Sequence, residues 1–433
     1  MLVHLVYDER MALHRPVSYQ ENNENEDSPP SCRADIKSSL ATYVFERPER
    51  LTSIYSHLMQ AFGETSLLRI DCPMATKEQI VGVHSAYHYE SMQATAALTA
   101  AELEDKSNLD DDMYYNEHSF NAAKLACGGV IAACHAVMTN TNSTSIALVR
   151  PPGHHACQAH EMGFCIFNSV AVAAKWAGRR TVILDWDIHH GNGTQELVWG
   201  CDNIMYISMH RFGLNKQYFF PGTGSPQETN DGKNINIAWT KGSMGNAEYA
   251  AAMSEIVLPM IGAHTPELII VSCGLDAAKN DLIGDCHLTP EFYGSMTASL
   301  LQLNIPLVVA LEGGYNIQVI CQCMHEITNS MVKHESTDSC LGGLSSARES
   351  LRSYWSYEDQ HPRLARSAVM NIHATMDALE KGGMEFVFRR IDMTRTPKKS
   401  TRKETSTSVM RTRGASKRDE LSDLSQLMSS IAL

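Results

Sequence analysis

The chain is expected to fold as an α/β protein, a mostly parallel β-sheet with helices on both faces. Three observations point there. Short β-branched runs recur along it, apolar helical stretches lie between them, and polar, glycine-rich segments follow the strand-like runs. Taken in order, the expected strands are Leu2–Tyr7, Ile146–Val149, Thr181–Leu184, Ile204–Ser208, Leu268–Ser272 and Leu307–Leu311. Ser169–Trp176, Ala247–Met260 and Pro290–Leu303 have the length and apolar content of crossover helices. An irregular stretch, His334–Ser346, then leads to two more expected helices, Ala347–Tyr357 and Arg363–Lys381.

In open parallel sheets the binding crevice lies outside the carboxyl ends of the strands. Val149 is followed by Arg150-Pro151-Pro152-Gly153-His154-His155, and Leu184 by Asp185-Trp186-Asp187-Ile188-His189-His190-Gly191-Asn192-Gly193. Ser208 is followed by Met209-His210-Arg211, Ser272 by Cys273-Gly274-Leu275-Asp276, and Leu311 by Glu312-Gly313-Gly314-Tyr315-Asn316. Five strands would thus deliver polar loops to one edge. Alternation along an extended chain would turn Asp185, Asp187 and His189 to one side.

Together these loops compose a hydrolytic metal site. Asp187, His189 and Asp276 are the candidate ligands; two carboxylates and an imidazole leave a divalent cation open positions for water and substrate. His154 and His155 are candidates for general base and electrostatic partner, and Tyr315 for donor to a developing oxyanion. Asp185 is better suited to orienting a histidine than to binding metal. Zn²⁺ and Fe²⁺ both accept such a ligand set. His210 is expected to be structural.

Composition sets the remaining bounds. A hydrophobic content of 43% with 20% charged residues supports a sizeable core. The net charge of −13, despite a basic C-terminal stretch, argues against a nucleic-acid-binding core. The cysteines show no CxxC pair, so reduced thiols in the cytosol or nucleus are expected, and no apolar run is expected to span a bilayer. A catalytic domain is expected over 1–385, with an acidic, proline-tipped insertion at about 18–42 that includes Glu21–Ser31. Residues 386–433 read as a disordered, basic, Ser/Thr-rich tail. Lys398–Lys403 offers an import-like signal, and Leu421, Leu424, Leu427, Met428 and Ile431 stripe a short terminal helix suited to export or docking.

These motifs, in this order, resemble the metal-dependent histone deacetylases, class II more than class I and closer to class IIb. The matching segments are Arg150–Ala156 (RPPGHHA), Gly163–Asn168 (GFCIFN), Asp185–Gln195 (DWDIHHGNGTQ), Phe219–Gly222 (FFPG), Gly274–Ala278 (GLDAA) and Leu311–Asn316 (LEGGYN), with weaker similarity at Tyr7–Met11 and Pro48–Ile54. The resemblance implies an arginase-like fold, a single parallel β-sheet sandwiched by helices. It implies Zn²⁺ at Asp187, His189 and Asp276, and structural K⁺ held by Ser208 and carbonyls around Asp185–His189. His155 becomes the base and later the acid, His154 backed by Asp185 its electrostatic partner, and Tyr315 the oxyanion donor. Phe164 and Phe220 match the aromatic walls of an acyl-lysine tunnel, with Gly163 and Gly314 on the substrate side, and Asp112 aligns with a rim residue that holds substrate backbone amides.

Within the family, some class II members carry histidine at the position of Tyr315 and act feebly on acetyl-lysine, so tyrosine implies a competent deacetylase. Polyamine-deacetylating members carry a glutamate where this chain has Ile283, which disfavours a polyamine substrate. Leu282 replaces a common proline, and the HPE-type element reads Val44-Phe45-Glu46. The implied substrates are acetylated lysines in proteins such as histone tails, in the nucleus or cytoplasm, with co-repressor partners reached through the C-terminal region. The rival functions are a ureohydrolase, which needs further aspartates where Asn192 stands, and a catalytically silent co-repressor scaffold; an NAD-dependent deacetylase is excluded by the lack of a strand–GxGxxG–helix unit.

Overall fold

The computed structural model describes residues 2–19, 45–110, 112–140, 144–213, 218–334, 340–355, 364–382, 388 and 390–391. The chain divides into two units, Met1–Arg395 and Thr396–Leu433, and every described residue belongs to the first. Most of the expected insertion, the import-like run and the terminal leucine stripe lie outside the described residues.

Eight parallel strands form one sheet in the order β2-β1-β3-β8-β7-β4-β5-β6. They are β1 (Val3–Val6), β2 (Leu67–Ile70), β3 (Thr144–Ala147), β4 (Thr181–Asp185), β5 (Ile204–Arg211), β6 (Asn234–Trp239), β7 (Leu268–Cys273) and β8 (Leu307–Leu311). All but β2 are buried along almost their whole length, as a sheet covered on both faces requires. The expected parallel α/β architecture is therefore the observed one. The two strands absent from the sequence reading, β2 and β6, are the two edges of the sheet.

Helices flank the sheet. Ile317–Lys333 packs on Pro48–Ser66 and Pro290–Leu301, and Ser119–Thr139 packs on Ser169–Ala177. Ser119–Thr139 corrects one expectation, because its 21 residues are long and apolar enough to cross a bilayer. Most of it is buried within the protein, and a helix buried all round is apolar all round. The expected helix Ala247–Met260 extends over Asn246–His264 and widens into a π turn at Met253–Val257. Pro259 has no N–H, and its ring crowds the carbonyl four residues back; the wider turn accommodates it. The stretch expected to be irregular to Ser346 is already helical from Cys340, in Cys340–Arg352. That helix docks where the Arg348 and Arg352 guanidinium groups meet buried Glu255, at 3.3 and 2.9 Å. Beyond Arg366–Lys381, Phe388 and Ile391 are still buried and Arg390 pairs with Asp377 and Glu380, so the packed chain continues past 385.

The strand order sets up the site. β3, β8, β7, β4 and β5 are consecutive in the sheet and parallel, so the loops after β3, β8, β7 and β4 emerge side by side along one edge, whereas Met209-His210-Arg211, expected to follow a strand, belongs to β5 itself.

Candidate functional site

Two of these loops, after β4 and β7, bring Asp187, His189 and Asp276 together. His189 Nδ1 lies 2.9 Å from Asp276 Oδ2 and 3.1 Å from Asp187 Oδ1, and all three residues are buried. Strand alternation is not what achieves this. β4 stops at Asp185, and the chain beyond it is shaped by backbone N–H groups donating to carboxylates. The amide of Asp187 donates to Asp185 Oδ1, that of His189 to Asp187 Oδ1, that of Ile188 to Asp276 Oδ1, and that of Gly313 to Asp187 Oδ2. Asp185 accordingly turns away from the other two, correcting the expectation of a common face. It accepts from Tyr206 at 2.9 Å and lies 3.1 Å from His154 Nδ1, the orienting role also read from sequence.

The close approach depends on glycine. A Cβ on Gly274 would fall 2.0 Å from Asp187 Oδ2, and one on Gly313 would fall 2.5 Å from Asp187 Oδ2, 2.7 Å from Asp276 Oδ2 and 3.2 Å from the Tyr315 hydroxyl. The last distance sets the Tyr315 hydroxyl beside the carboxylates.

Electrostatics divide the groups. Burial, reinforced by the charge of Asp187, pushes Asp276 up to about 7. Burial would also raise Asp187, but the charges of His154 and His189 outweigh it and hold that carboxyl low. Two buried carboxylates forced together with an imidazole form a donor set that a divalent cation satisfies. Burial opposes the charge on His154, yet Asp187 and Asp185 raise it to about 10. Burial and the neighbouring charges of His154 and His189 push His155 well below 6.5, so it is a neutral imidazole at neutral pH. Burial and Asp276 raise the Tyr315 hydroxyl well above 10, so it remains a donor.

A pocket of about 170 Å³ opens onto this cluster, lined by Phe45, Asp112, His155, Gly163, Phe164, His189, Phe220, Ile283 and Tyr315. Phe164 and Phe220 form walls, and each ring stands edge-on to another in the site, Phe164 to Tyr315 at 5.8 Å and Phe220 to His155 at 5.0 Å. Phe164 holds a φ of 67°, a backbone state that a bulky side chain rarely adopts, and its amide donates to the Asp112 carbonyl. Gly163 is close-packed, since a Cβ there would sit 2.7 Å from His155 Cδ2. Gly314 serves through its backbone, its carbonyl accepting from Arg50 Nε at 2.6 Å. His210 braces the loop after β5 through Ser208 and the Gly224 carbonyl.

Sequence reasoning left several residues without roles. Glu312 holds the histidine loop, accepting from the amides of Gly153 and His154 at 2.7 and 3.2 Å. Asn192 Oδ1 lies 2.8 Å from His155 Nδ1. Asp281 accepts from the amides of Ile283, Gly284 and Tyr315 and so ties the rim to the tyrosine loop. Glu46, fully buried, bridges Arg50 and Arg150 and accepts from Tyr114. Among these, Asn192, Glu312 and Glu46 carried a signal, by standing inside the quoted runs, and Asp281 carried none.

Comparison with known proteins gives a consistent answer. The model of the histone deacetylase domain matches residues 44–331. Histone deacetylase HDA1 of Saccharomyces cerevisiae is 43% identical over 280 residues, 61% of this chain and 39% of that protein. Histone deacetylase 15 of Arabidopsis thaliana is 39% identical over 64% of this chain and 50% of its own length, and polyamine deacetylase HDAC10 of Danio rerio 31% identical over 88% and 56%. The chain therefore spans well under two thirds of each of these relatives. A crystal structure of the HDA15 HD domain superposes with a TM-score of 0.66 at 30% identity, covering 87% of this chain and all of that one.

Proposed function

Because the chain belongs to the histone deacetylase family, we propose that it hydrolyses ε-N-acetyl-lysine in proteins to lysine and acetate. The observation that carries the reading is one narrow pocket in which aromatic walls lead to His155, His189 and Tyr315. A lysine stem whose charge is masked by acetylation is slender and apolar, and it suits such walls.

Asp187, His189 and Asp276 would hold the metal ion, with Zn²⁺ the proposed species. When bound, the ion supplies Lewis-acid charge to the acyl oxygen and makes water a better nucleophile at neutral pH. His155, neutral in its buried setting, takes a proton from the attacking water as the new C–O bond forms. It then gives that proton to the lysine nitrogen as the C–N bond breaks. The Tyr315 hydroxyl donates to the carbonyl oxygen as negative charge gathers there. His154, cationic beside Asp185, offsets part of that charge. Potassium is proposed at the end of β4, where Asp185 stands opposite Ser208 of β5 and the two offer the oxygen donors a hard cation prefers.

The proposed catalytic body extends past the expected boundary at 385 to include Phe388 and Ile391, with the tail following it. Histone tails and other acetylated proteins of nucleus or cytoplasm are the proposed substrates, with co-repressors as partners. Asp112 at the pocket mouth is the proposed anchor for substrate backbone amides. Ile283, which also lines the pocket, presents no carboxylate to a second ammonium group, which disfavours a polyamine.

An acetyl-lysine peptide assay tests the reading. Tyr315→Phe and His155→Ala should each lower kcat on the order of a hundredfold or more. Full activity in both variants would overturn the mechanism, and faster turnover of acetylated spermidine than of the peptide would overturn the substrate class.

A further inference from the structure

We propose that Cys157 and Met162 are positioning residues for His155, acting through the carboxamide of Asn192; the idea rests on the general-base role proposed above. Asn192 Oδ1 lies 2.8 Å from His155 Nδ1, while Asn192 Nδ2 lies 3.2 Å from Cys157 Sγ and 3.3 Å from Met162 Sδ. A thioether has no hydrogen, so Met162 can only accept. The Cys157 thiol donates toward the His155 carbonyl at 3.6 Å, which leaves its sulfur lone pairs for accepting. Burial pushes this thiol up to about 12, so it keeps its proton.

Only one orientation of the amide meets all these contacts, with NH₂ on the sulfurs and oxygen on the histidine. An amide oxygen can only accept, so His155 carries its hydrogen on Nδ1. In the neutral imidazole Nε2 is then bare and able to take a proton. Turned over, Asn192 would press its oxygen against a thioether that has no hydrogen and a thiol whose hydrogen is directed at the His155 carbonyl, and its NH₂ against Nδ1. The ring proton would move to Nε2, and the base would be lost. A carboxylate at this position would need no such orienting, because both its oxygens accept; a carboxamide does.

The sulfurs belong to the same 157–165 segment that presents Gly163 and Phe164 to the pocket. Paired backbone bonds between Met162 and Cys165, and the Cys157 amide donating to the His160 carbonyl, hold that segment in shape. The pocket wall and the tautomer of the base are thereby set by one loop.

The test compares two double variants that differ by a single oxygen, Cys157→Ala/Met162→Leu and Cys157→Ser/Met162→Leu. On an acetyl-lysine peptide the first should lose about tenfold in kcat with KM within twofold, and the second should recover most of that loss. The same alanine/leucine pair, introduced together with Asn192→Asp, should cost less than twofold relative to Asn192→Asp alone. Equal losses for serine and alanine at 157, or the same tenfold drop in the Asn192→Asp background, would mean that the sulfurs merely fill space and would overturn the proposal. If Asn192→Asp is itself inactive, the serine–alanine comparison decides alone. A chain on which His155→Ala has no effect overturns the underlying mechanism as well; a His155-dependent chain indifferent to positions 157 and 162 overturns only the positioning role.

Discussion

At the scale of single residues, what distinguishes this site is how little room it leaves around the carboxylates. Gly274 and Gly313 stand where any side chain would strike Asp187. Gly274→Ala should therefore displace the Asp187 carboxylate and lower bound zinc to below half an equivalent per chain, measured by metal analysis after gel filtration, while cooperative unfolding persists. Full zinc occupancy in that variant would sink the proposed ligand geometry. The cluster of candidate ligands was legible in sequence because acids and imidazoles at strand ends have few other uses. Glu312 and Asn192 were not, because their value lies in which partners they meet: backbone amides of a loop more than 150 residues away for one, and Nδ1 of the His155 imidazole for the other.

At the scale of elements, strands made of uninterrupted β-branched runs were readable and the two edge strands were not. β2 follows the helix Pro48–Ser66, whose backbone breaks at Gly63 (φ 62°), and its pairing with β1 defines it. β6 alternates isoleucine with Asn234 and Asn236, residues that suggest a turn; folding buries both, and their amides donate to Gln195 Oε1. The π turn at Met253–Val257 is likewise a helix-level feature with an energetic consequence. It carries buried Glu255 to Arg348 and Arg352, whose side chains are partly exposed. Removing both arginines strands a buried carboxylate, whereas neutralising Glu255 lets the arginines turn to water. Arg348→Met/Arg352→Met should thus cost about 3 kcal/mol in urea unfolding and Glu255→Gln only about 1 kcal/mol. The reverse order would refute the docking role of the pair.

At the scale of the whole molecule, the N-terminal segment is locked into the body by buried polar groups whose protonation folding restrains. His14 lies 2.8 Å from Ser119 Oγ, and burial together with the charge of Arg150 lowers it from 6.5 to about 3. The unfolded chain binds a proton there below pH 6.5 and the folded chain does not. Stability from this group is thus complete above pH 6.5 and falls as the pH drops toward 3, by about 1.4 kcal/mol per pH unit. Glu46 adds loss in a lower window: burial opposes its charge, the Arg150 and Arg50 guanidinium groups overcome that, and its depressed value withdraws stability as the pH falls below 4.5. Between pH 6.5 and 5, His14→Gln should flatten the decline of unfolding free energy by about 1.4 kcal/mol per unit relative to the parent chain. Parallel profiles for the two proteins would refute the assignment.

The sequence by itself determined the fold class and singled out the candidate ligands Asp187, His189 and Asp276 and the paired histidines, because strand periodicity and donor chemistry are local properties of the chain. Only the tertiary structure decided which way Asp185 turns, what Asn192, Glu312 and Asp281 hold, and where the sheet ends. Those outcomes follow from hydrogen bonds and burial between segments far apart in sequence, and such partners exist only once the strands have been set side by side.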